Sequence, residues 1–506
     1  DSPTWTLAQT AGRSWSDPMS WNRDDDIGNN IRTSESDAVN EMYSGYLDLK
    51  KQLRVRGLPV TILGGFGGRT NDWKTNEGSY QQFQYVGPTH DLTQKAPEAV
   101  IPWTQNYRFD LNLDGRGGNV TAQNWRADSN YGVYDIYKDH PDYFVPDEVG
   151  NLTRKLQNNK KISEEIGAAY LEGQTRVGKA RFDLGLRYEK TKTEAAVSDV
   201  RPDKEVTDAG YALNTVEGVL YKYKNGQQNT RHGSYDDWFV SGGVKYDFTK
   251  KLVGQLAFSD AILRPDYGNL GGVTSVNDNT QTVTVPNPEL KPEHSRKYYA
   301  GLQYFLEPSG MVGLSYYKLR LNDMQQPGLT VDPESVGYSP SDYPGYTFVS
   351  AQNGVGTFET DGVTFEYNQQ LTFLPGALKG LGLYGSVTRV IADGVRIGVP
   401  NRVANWGARY RYGRFNVQIN GTWQAASRLG SLSDTEKTNN TGIRWLAARE
   451  LWSISASYRL TKHFELMLSG RNIFNAPSVQ YSNVPGRIYL YDVYGSLWSA
   501  GIKGTF

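Results

Sequence analysis

The sequence predicts an all-β protein: a transmembrane antiparallel β-barrel with about 16 visible strands. Three observations lead to this fold class: apolar and polar residues alternate with period two, short and long connections alternate between strands, and the composition combines many aromatics with a polar average. The 506 residues include 54 Gly, 34 Tyr and 12 Trp, yet the mean hydropathy is −0.60. Barrel strands give such a composition because one face meets lipid and the other meets water.

Alternation is clearest in two segments near the C-terminus. In 415–424, Phe415, Ile419 and Trp423 fall on one face, and the opposite face carries only Asn, Gln and Thr. The segment 451–460 repeats the pattern with Trp452 on its apolar face. Successive side chains of a strand point to opposite faces, so each segment has one apolar and one wet side. A soluble β-sandwich with one solvated face is the alternative that alternation leaves open.

The lengths of the connections favour the barrel. Tight turns alternate with long segments, as in barrels with short periplasmic turns and long extracellular loops, whereas a sandwich has no reason to sort its connections in this way. The longest segment, 68–161, is predicted to be a large aromatic-rich extracellular loop. The predicted strands lie near 3–10, 42–52, 57–67, 162–172, 179–192, 235–248, 251–261, 294–306, 309–321, 356–369, 379–391, 400–412, 413–426, 448–460, 463–474 and 494–506.

Charge and motif content exclude several function classes. Basic and acidic residues balance at 54 each, so the chain lacks the positive field that binds nucleic acid. Its five histidines form no His-Glu-x-x-His pattern, and no nucleophile elbow or Walker loop occurs, so neither an enzyme nor a metal or cofactor is predicted. The glycine run 64–68 is predicted to end a strand, and 24–26 to be a solvated acidic loop.

Several motifs resemble the barrel of TonB-dependent receptors, the active importers of the bacterial outer membrane. The run 258–267 resembles the family's strand-then-Arg-Pro segment, 287–295 resembles its Asn-Pro-x-Leu-Lys-Pro-Glu-x-Ser motif, and 468–475 resembles its penultimate-strand signature. The likeness covers about 160–506 well and 1–160 loosely. The prolines of these motifs cannot donate to a ladder, so we expect them to delimit strands at the barrel rim rather than to contact a ligand.

This resemblance implies an N-terminal plug inside a barrel of 22 strands, preceded by a TonB box. Neither plug nor box is recognisable before residue 160, and 1–10 already has the pattern of a strand. We therefore expect residues 1–506 to be the barrel portion of a longer receptor, with the plug and first strands apparently absent. A complete 16-stranded porin is the alternative.

The resemblance also implies a function and partners. It predicts TonB-energised import of a scarce small-molecule solute. A siderophore-iron chelate is the family's default substrate, and a glycan or cobalamin is the alternative. The implied partners are TonB, with ExbB and ExbD, through the plug; the outer-membrane assembly machinery, through a C-terminal strand ending in Phe506 as the assembly signal; and the lipid bilayer. A passive porin and a surface glycan-binding adhesin remain alternatives.

Aromatic side chains of the large loop are the candidate substrate-binding residues. Aromatic faces suit sugar rings, chelators and hydrophobic vitamins alike, and long loops are commonly functional. The alternative is that these rings pack the loop's own small core. The candidates are Trp73, Tyr85, Trp103, Trp125, Tyr131, Tyr134 and Tyr137.

Strand parity also turns a set of charged side chains toward the lumen. Buried unpaired charges are costly, so a lumen that contains them must hold water or a polar plug. We therefore expect these side chains to face the plug. They are Arg187, Glu189, Lys245, Arg409, Arg411, Arg459 and Arg471.

Overall fold

The computed structural model describes residues 10–12, 31–33, 37–76, 81–88, 103–112, 119–339, 341–392, 397–430 and 442–505. Its main element is an antiparallel sheet in which 15 long strands each pair with their neighbours along the chain. The long strands are β1 (Asp37–Val55), β2 (Leu58–Asn76), β3 (Lys160–Val177), β4 (Ala180–Ser198), β5 (Gln228–Asp247), β6 (Leu252–Leu263), β7 (Glu293–Leu306), β8 (Gly310–Asn322), β9 (Thr357–Gln370), β10 (Leu381–Ala392), β11 (Arg402–Tyr412), β12 (Phe415–Gln424), β13 (Arg449–Arg459), β14 (Phe464–Arg471) and β15 (Leu497–Gly504).

These strands confirm the predicted strands from 42–52 to the C-terminus. The predicted strand 3–10 lies almost wholly outside the described residues. Most differences are in length, because several strands continue past the predicted ends on the loop side. The glycine run 64–68 is therefore inside β2, and the prediction that it ends a strand was wrong. A Cβ on Gly67 would come within 2.6 Å of the Tyr46 ring, so glycine here leaves room for a neighbouring aromatic side chain.

Short and long connections alternate along the sheet as predicted, except around β10, where the connection 371–380 before it is about as long as the connection 393–401 after it. The β1–β2 turn is the two residues Arg56 and Gly57, both with positive φ, the conformation that tight hairpins need. Every second connection is long, and all the long ones lie at the same end of the strands. They span 77–159, 199–227, 264–292, 323–356, 393–401, 425–448 and 472–496.

The two faces of the sheet differ sharply in polarity. On one face, apolar side chains are exposed in a continuous band; Leu302 and Leu314, for example, are opposite each other and 49% and 53% exposed. On the other face, Ser455, Ser469 and Ser499 form a polar row across three strands. Soluble proteins rarely expose an apolar band of this extent, so it indicates contact with lipid.

Aromatic side chains border the apolar band at both ends. Tyr412, Phe415 and Tyr458 lie across adjacent strands at the turn end. At the loop end, Trp423 and Trp452 belong to the same face. Amphipathic rings favour the two membrane interfaces, so these girdles mark the borders of the membrane-embedded band. No helix within the described ranges is long and apolar enough to cross a bilayer.

The long connections contain small sheets and short helices that pack on one another. Buried Val283, Tyr338 and Phe348 form one core between two of these loops, and Val219 and Tyr223 form another with the helix 148–158. The loops therefore form a layer above one end of the barrel. Its helices include α1 (Asn130–Asp139), α2 (Glu148–Asn158), α3 (Asp203–Asp208), α4 (Val216–Lys222) and α5 (Tyr267–Leu270). One small sheet consists of Ile31–Thr33, Gln81–Tyr85 and Phe144–Pro146, and a second of Thr104–Asn112 and Asn119–Asp128. A third consists of Ser275–Asn277, Thr282–Val285, Thr347–Asn353 and Gln325–Thr330, and a fourth of Ser427–Gly430, Arg444–Leu446, Ser478–Ser482 and Ile488–Asp492.

The polarity of the two faces predicts opposite responses to one substitution. Leu468→Arg places a charge in the middle of the lipid band and should lower the free energy of unfolding by about 2–4 kcal/mol. Ser469→Arg places the same side chain on the wet face and should change it by less than about 0.5 kcal/mol. Urea unfolding in lipid vesicles measures both. Equal losses for the two variants would contradict the assignment of the faces.

Candidate functional site

Five ionisable side chains meet on the wet face near the loop end of the barrel, and we call them the lumen ion cluster: Arg69, Glu164, Arg187, Glu189 and Arg264. Four come from the adjacent strands β2, β3 and β4, and their positions follow from the register of those strands. Arg264 comes instead from the loop that follows β6. The cluster thus joins the barrel wall to an extracellular loop.

Glu189 is the centre of this cluster. It accepts hydrogen bonds from Nε of Arg187 at 2.7 Å and from Nη2 of Arg264 at 2.5 Å. Arg264 also approaches Glu164, with Nε 3.8 Å from Oε1. The Glu164 side chain is only 3% exposed, so a nearby cation is needed to offset the cost of burying its charge.

Arg69 completes the set, with Nη2 3.6 Å from Oε2 of Glu164. Three guanidinium groups therefore face two carboxylates, and the cluster has a net positive charge when all five groups are ionised. The contacts of Arg69 and Arg264 with Glu164 are 3.6 and 3.8 Å long, whereas those of Arg187 and Arg264 with Glu189 are hydrogen bonds. The arrangement can accept an additional anionic group without first breaking the Glu189 pairs.

Local sequence explains how Arg264 reaches the lumen. Pro265 has no N–H to donate, so β6 ends at Leu263 and the chain turns away from the sheet. Burial acts to lower the pKa of the Arg264 guanidinium, but the hydrogen bond to Glu189 together with the attraction of Tyr235, Glu189 and Glu164 holds that pKa above its ordinary value. From sequence, the Arg-Pro segment is predicted only to delimit a strand, so Arg264 is a site residue that the sequence pattern does not identify. An arginine directly before a strand-ending proline was the available signal.

Tyr267 ties the same loop to the barrel wall at a second point. Its hydroxyl accepts a hydrogen bond from Nδ2 of Asn71 at 2.5 Å. Its ring centroid lies 5.9 Å from that of Trp73, one of the predicted substrate-binding aromatics. Burial raises the pKa of the Tyr267 phenol, so it stays neutral at physiological pH. Trp73 is therefore next to the lumen ion cluster.

A cavity of about 140 Å³ lies beside the lumen ion cluster. Its walls include Tyr46, Asp48 and Tyr170, besides three arginines of the cluster. The Tyr170 hydroxyl donates to Oδ1 of Asp48 at 2.8 Å. This lining is hydrophilic and carries both signs of charge, so it suits water or a polar group of a plug or solute better than an apolar ligand.

The other predicted lumen charges lie on the same wet face but away from the cluster. Lys245 is opposite Gln255, and Arg459 is opposite Glu465. Arg409 is 5.1 Å from the Tyr384 ring and donates to Asn368 at 3.2 Å. These charges lie on β5, β11 and β13, so the polar inner face extends well beyond the lumen ion cluster. Arg411 lies on this face near the turn end of β11, and Arg471 lies at the loop end of β14.

Two of the predicted substrate-binding aromatics are inside the large loop. Tyr85 and Trp103 are 2% and 4% exposed, and their ring centroids are 4.9 Å apart in an edge-to-face arrangement. Phe83 and Phe144 pack against them. In this structure the two rings stabilise the loop and do not offer their faces to a ligand.

Helix α1 presents the exposed aromatics of that loop. Ser129 caps the helix by accepting from the Gly132 amide at 3.2 Å. Tyr131 and Tyr134 are 82% and 58% exposed, whereas Tyr137 packs partly against the loop core. A ligand approaching from outside can therefore reach the first two rings. The side chain of Trp125 and the residue Phe506 lie outside the part of the chain that the structure describes.

Side-chain contacts join two of the long loops, 199–227 and 323–356. The Tyr338 hydroxyl donates to Oδ1 of Asp199 at 2.7 Å, and the Tyr343 hydroxyl donates to the Val200 carbonyl at 2.8 Å. The Arg231 guanidinium lies 4.4 Å from the Tyr338 ring centroid. Burial raises the pKa of both phenols. These connections cross between loops that are far apart in sequence.

Comparison with known families gives one match over most of the chain. The family described as TonB dependent receptor-like, beta-barrel, matches residues 1–473. No curated protein sequence matches the chain.

Solved structures share the fold at low identity. The closed form of the ferric-catecholate import receptor Fiu from K12 E. coli matches with a TM-score of 0.57 and 11% identity, over 98% of this chain and 58% of that one. The siderophore receptor PiuA from Acinetobacter baumannii matches with 0.53 and 13%, over 92% and 56%. The copper transporter OprC matches with 0.51 and 14%, over 93% and 57%. The chain thus spans less than two thirds of each of these proteins.

The geometry of the lumen ion cluster predicts the effect of removing its loop arginine. Arg264→Gln leaves buried Glu164 and Glu189 short of a cation and should lower the free energy of unfolding by about 3 kcal/mol. Limited proteolysis should also cut the loop 264–292 faster. Lys204→Gln removes an exposed partner of Asp208 and should cost less than about 0.5 kcal/mol. Similar losses in urea unfolding for both variants would show that the cluster does not hold the loop.

Proposed function

This chain belongs to the TonB-dependent receptors, and from that premise we propose that it imports a scarce solute across the bacterial outer membrane with energy supplied through TonB. Barrels of this family lie in the outer membrane. The observation that carries the proposal is the position of Arg264. This residue belongs to an extracellular loop, and its Nη2 lies 2.5 Å from Oε2 of Glu189 on the lumen wall. A change at the ligand side of this loop is thereby transmitted directly to the lumen.

The proposed substrate is an anionic metal chelate of the siderophore-iron class. Two of the matched structures are named as a ferric-catecholate import receptor and a siderophore receptor. In this chain, exposed Tyr131 and Tyr134 offer ring faces for an aromatic chelator. Deeper in, Arg69 and Arg264 offer positively charged hydrogen-bond donors to an anionic group at the cavity beside the lumen ion cluster. A glycan or cobalamin would not use that charge.

The extracellular segment 77–159, which is the part of the predicted loop 68–161 that lies between β2 and β3, acts in this proposal as the capture loop. Its buried aromatics give it a fixed shape, and helix α1 carries the reachable rings. The solute then passes to the wall at Arg69 and Arg264. A plug that fills the polar lumen would pair with the remaining inner-face charges, and TonB, with ExbB and ExbD, would move that plug.

Uptake and conductance separate this function from passive diffusion. Cells that carry the gene should take up a radiolabelled ferric siderophore only with an intact TonB system and proton gradient, since transport uses external energy. The purified complete protein should be nearly silent in planar bilayers. A steady open conductance, together with uptake that persists without TonB, would favour the porin instead.

The exposed rings of helix α1 predict a binding phenotype. Tyr131→Ala combined with Tyr134→Ala should weaken binding of the transported chelate to whole cells about tenfold, because two ring contacts are lost. Tyr494→Ala removes a similarly exposed ring, 73% accessible, from the last long loop and should change affinity by less than about twofold. Surface display of both variants is checked by antibody labelling. An unchanged affinity for the double variant would exclude α1 from capture.

A further inference from the structure

Strands β5 and β6 pair with each other only over their turn-side parts. Their last paired residues on the loop side are Ser241 and Ser259. Beyond that point β5 continues along β4 to Gln228, and β6 continues along β7 to Leu263. The two strands therefore separate on the loop side, and we call the gap between them the wall seam. Side chains from both sides reach across it.

Asp260 closes the part of the wall seam next to the last paired residues. Its Oδ2 accepts a hydrogen bond from the backbone N–H of Val240 at 3.1 Å. Arg296 on β7 holds the same carboxylate, with Nε 2.6 Å from Oδ1. An arginine keeps its charge at every physiological pH. This first closure of the seam therefore does not depend on the pH of the medium.

A histidine closes the seam farther from the membrane. Nε2 of His294, at the start of β7, lies 2.5 Å from Oδ1 of Asp237 on β5. Its other ring nitrogen, Nδ1, lies 3.1 Å from Oδ2 of Asp323, which follows β8. Ionised carboxylates can only accept hydrogen bonds, so both contacts are hydrogen bonds only when the ring carries two protons. We call these three residues the His294 clasp.

The position of Asp237 makes the charge of His294 important. The Asp237 side chain is only 9% exposed, and it is directly opposite Glu189 of the lumen ion cluster. Like charges opposite each other in a sheet are destabilising. Glu189 has two arginine partners, whereas His294 is the only cation among the described residues at ion-pair distance from Asp237. A neutral His294 would leave this buried carboxylate without charge compensation.

Three further charged groups surround the His294 ring. Asp260 is close enough for mutual attraction with a protonated ring, but its own partner is Arg296. Glu293, the preceding residue, accepts a hydrogen bond from the backbone N–H of Gln325 at 3.0 Å. These groups keep their partners whether or not His294 is charged. The ring itself is 40% exposed, so it exchanges protons with the medium.

We infer that the His294 clasp is a pH-sensitive closure of the wall seam. Histidine is the side chain whose charge ordinarily changes between about pH 5 and 8. In acid, the imidazolium donates to both carboxylates and holds β7 against β5. As the pH rises, the ring loses one N–H and one of its two hydrogen bonds, and Asp237 repels Glu189 across the strand pair.

The stabilisation from the clasp is therefore complete while the ring is protonated and is lost when the ring becomes neutral. The seam then opens more readily, and the end of β6 that leads into Arg264 is held less firmly. This switch does not depend on which solute the chain imports, because no member of the clasp needs to contact the solute.

Hydrogen exchange at two pH values tests the clasp. The complete protein in phosphatidylcholine nanodiscs is labelled in heavy water at about pH 5.5 and about pH 8, and exchange is corrected for the intrinsic amide rate at each pH. In the wild-type protein, segments 228–240 and 259–264 should open about tenfold more readily at the higher pH, as expected for the loss of one charge-assisted hydrogen bond. His294→Gln cannot become charged, so these segments should open at the higher level at both pH values.

Two further variants keep the outcome decisive. Asp237→Asn removes the buried charge and should reduce the difference between the two pH values to less than about twofold. His232→Gln removes another histidine of β5, which is 70% exposed beside Glu194, and should keep the wild-type pH response. Heat-modifiable migration in gels confirms that each variant is folded. A pH response of wild-type size in His294→Gln or Asp237→Asn, or its absence from the wild-type protein, would overturn the inference.

Discussion

Backbone hydrogen bonding inside lipid is the constraint on which the rest of this structure depends. A bilayer offers no partner for a free N–H or carbonyl, so a strand can cross it only when both its edges are paired. Each long strand between β1 and β15 meets this demand by pairing with the strand before it and the strand after it along the chain. Proline follows the same rule, since Pro265 and Pro292 lie just outside β6 and β7.

Each strand also separates two environments, with lipid on one face and water on the other. Exposed Leu302 and Leu314 face lipid, and the alternate positions of the same strands, such as Gln303 and Gly313, face a wet interior. That interior allows charges such as Glu164 and Glu189 to persist, because guanidinium groups from neighbouring staves and from a loop reach them. Function therefore follows from the fold: a polar wall is the surface that a hydrated solute or a plug requires.

The loop layer is stabilised by different interactions from those that stabilise the barrel. Its elements are too short to be stable alone, so they depend on small shared cores such as that of Phe83, Tyr85 and Trp103. These cores fix the shape of the loops and leave other rings, including Tyr131, in contact with solvent. Arg264 then connects this layer to the lumen.

The sequence by itself determined the strands, their faces and the alternation of turns and loops, because period-two polarity and connection length are local properties of the chain. It could not distinguish buried Trp103 from exposed Tyr131, since both are aromatic residues of one loop and only contact with Phe144 buries the first. Nor could it bring Arg264 to Glu189, which is 75 residues away. Barrel register and loop packing decided those pairings, because they join segments that no local pattern connects.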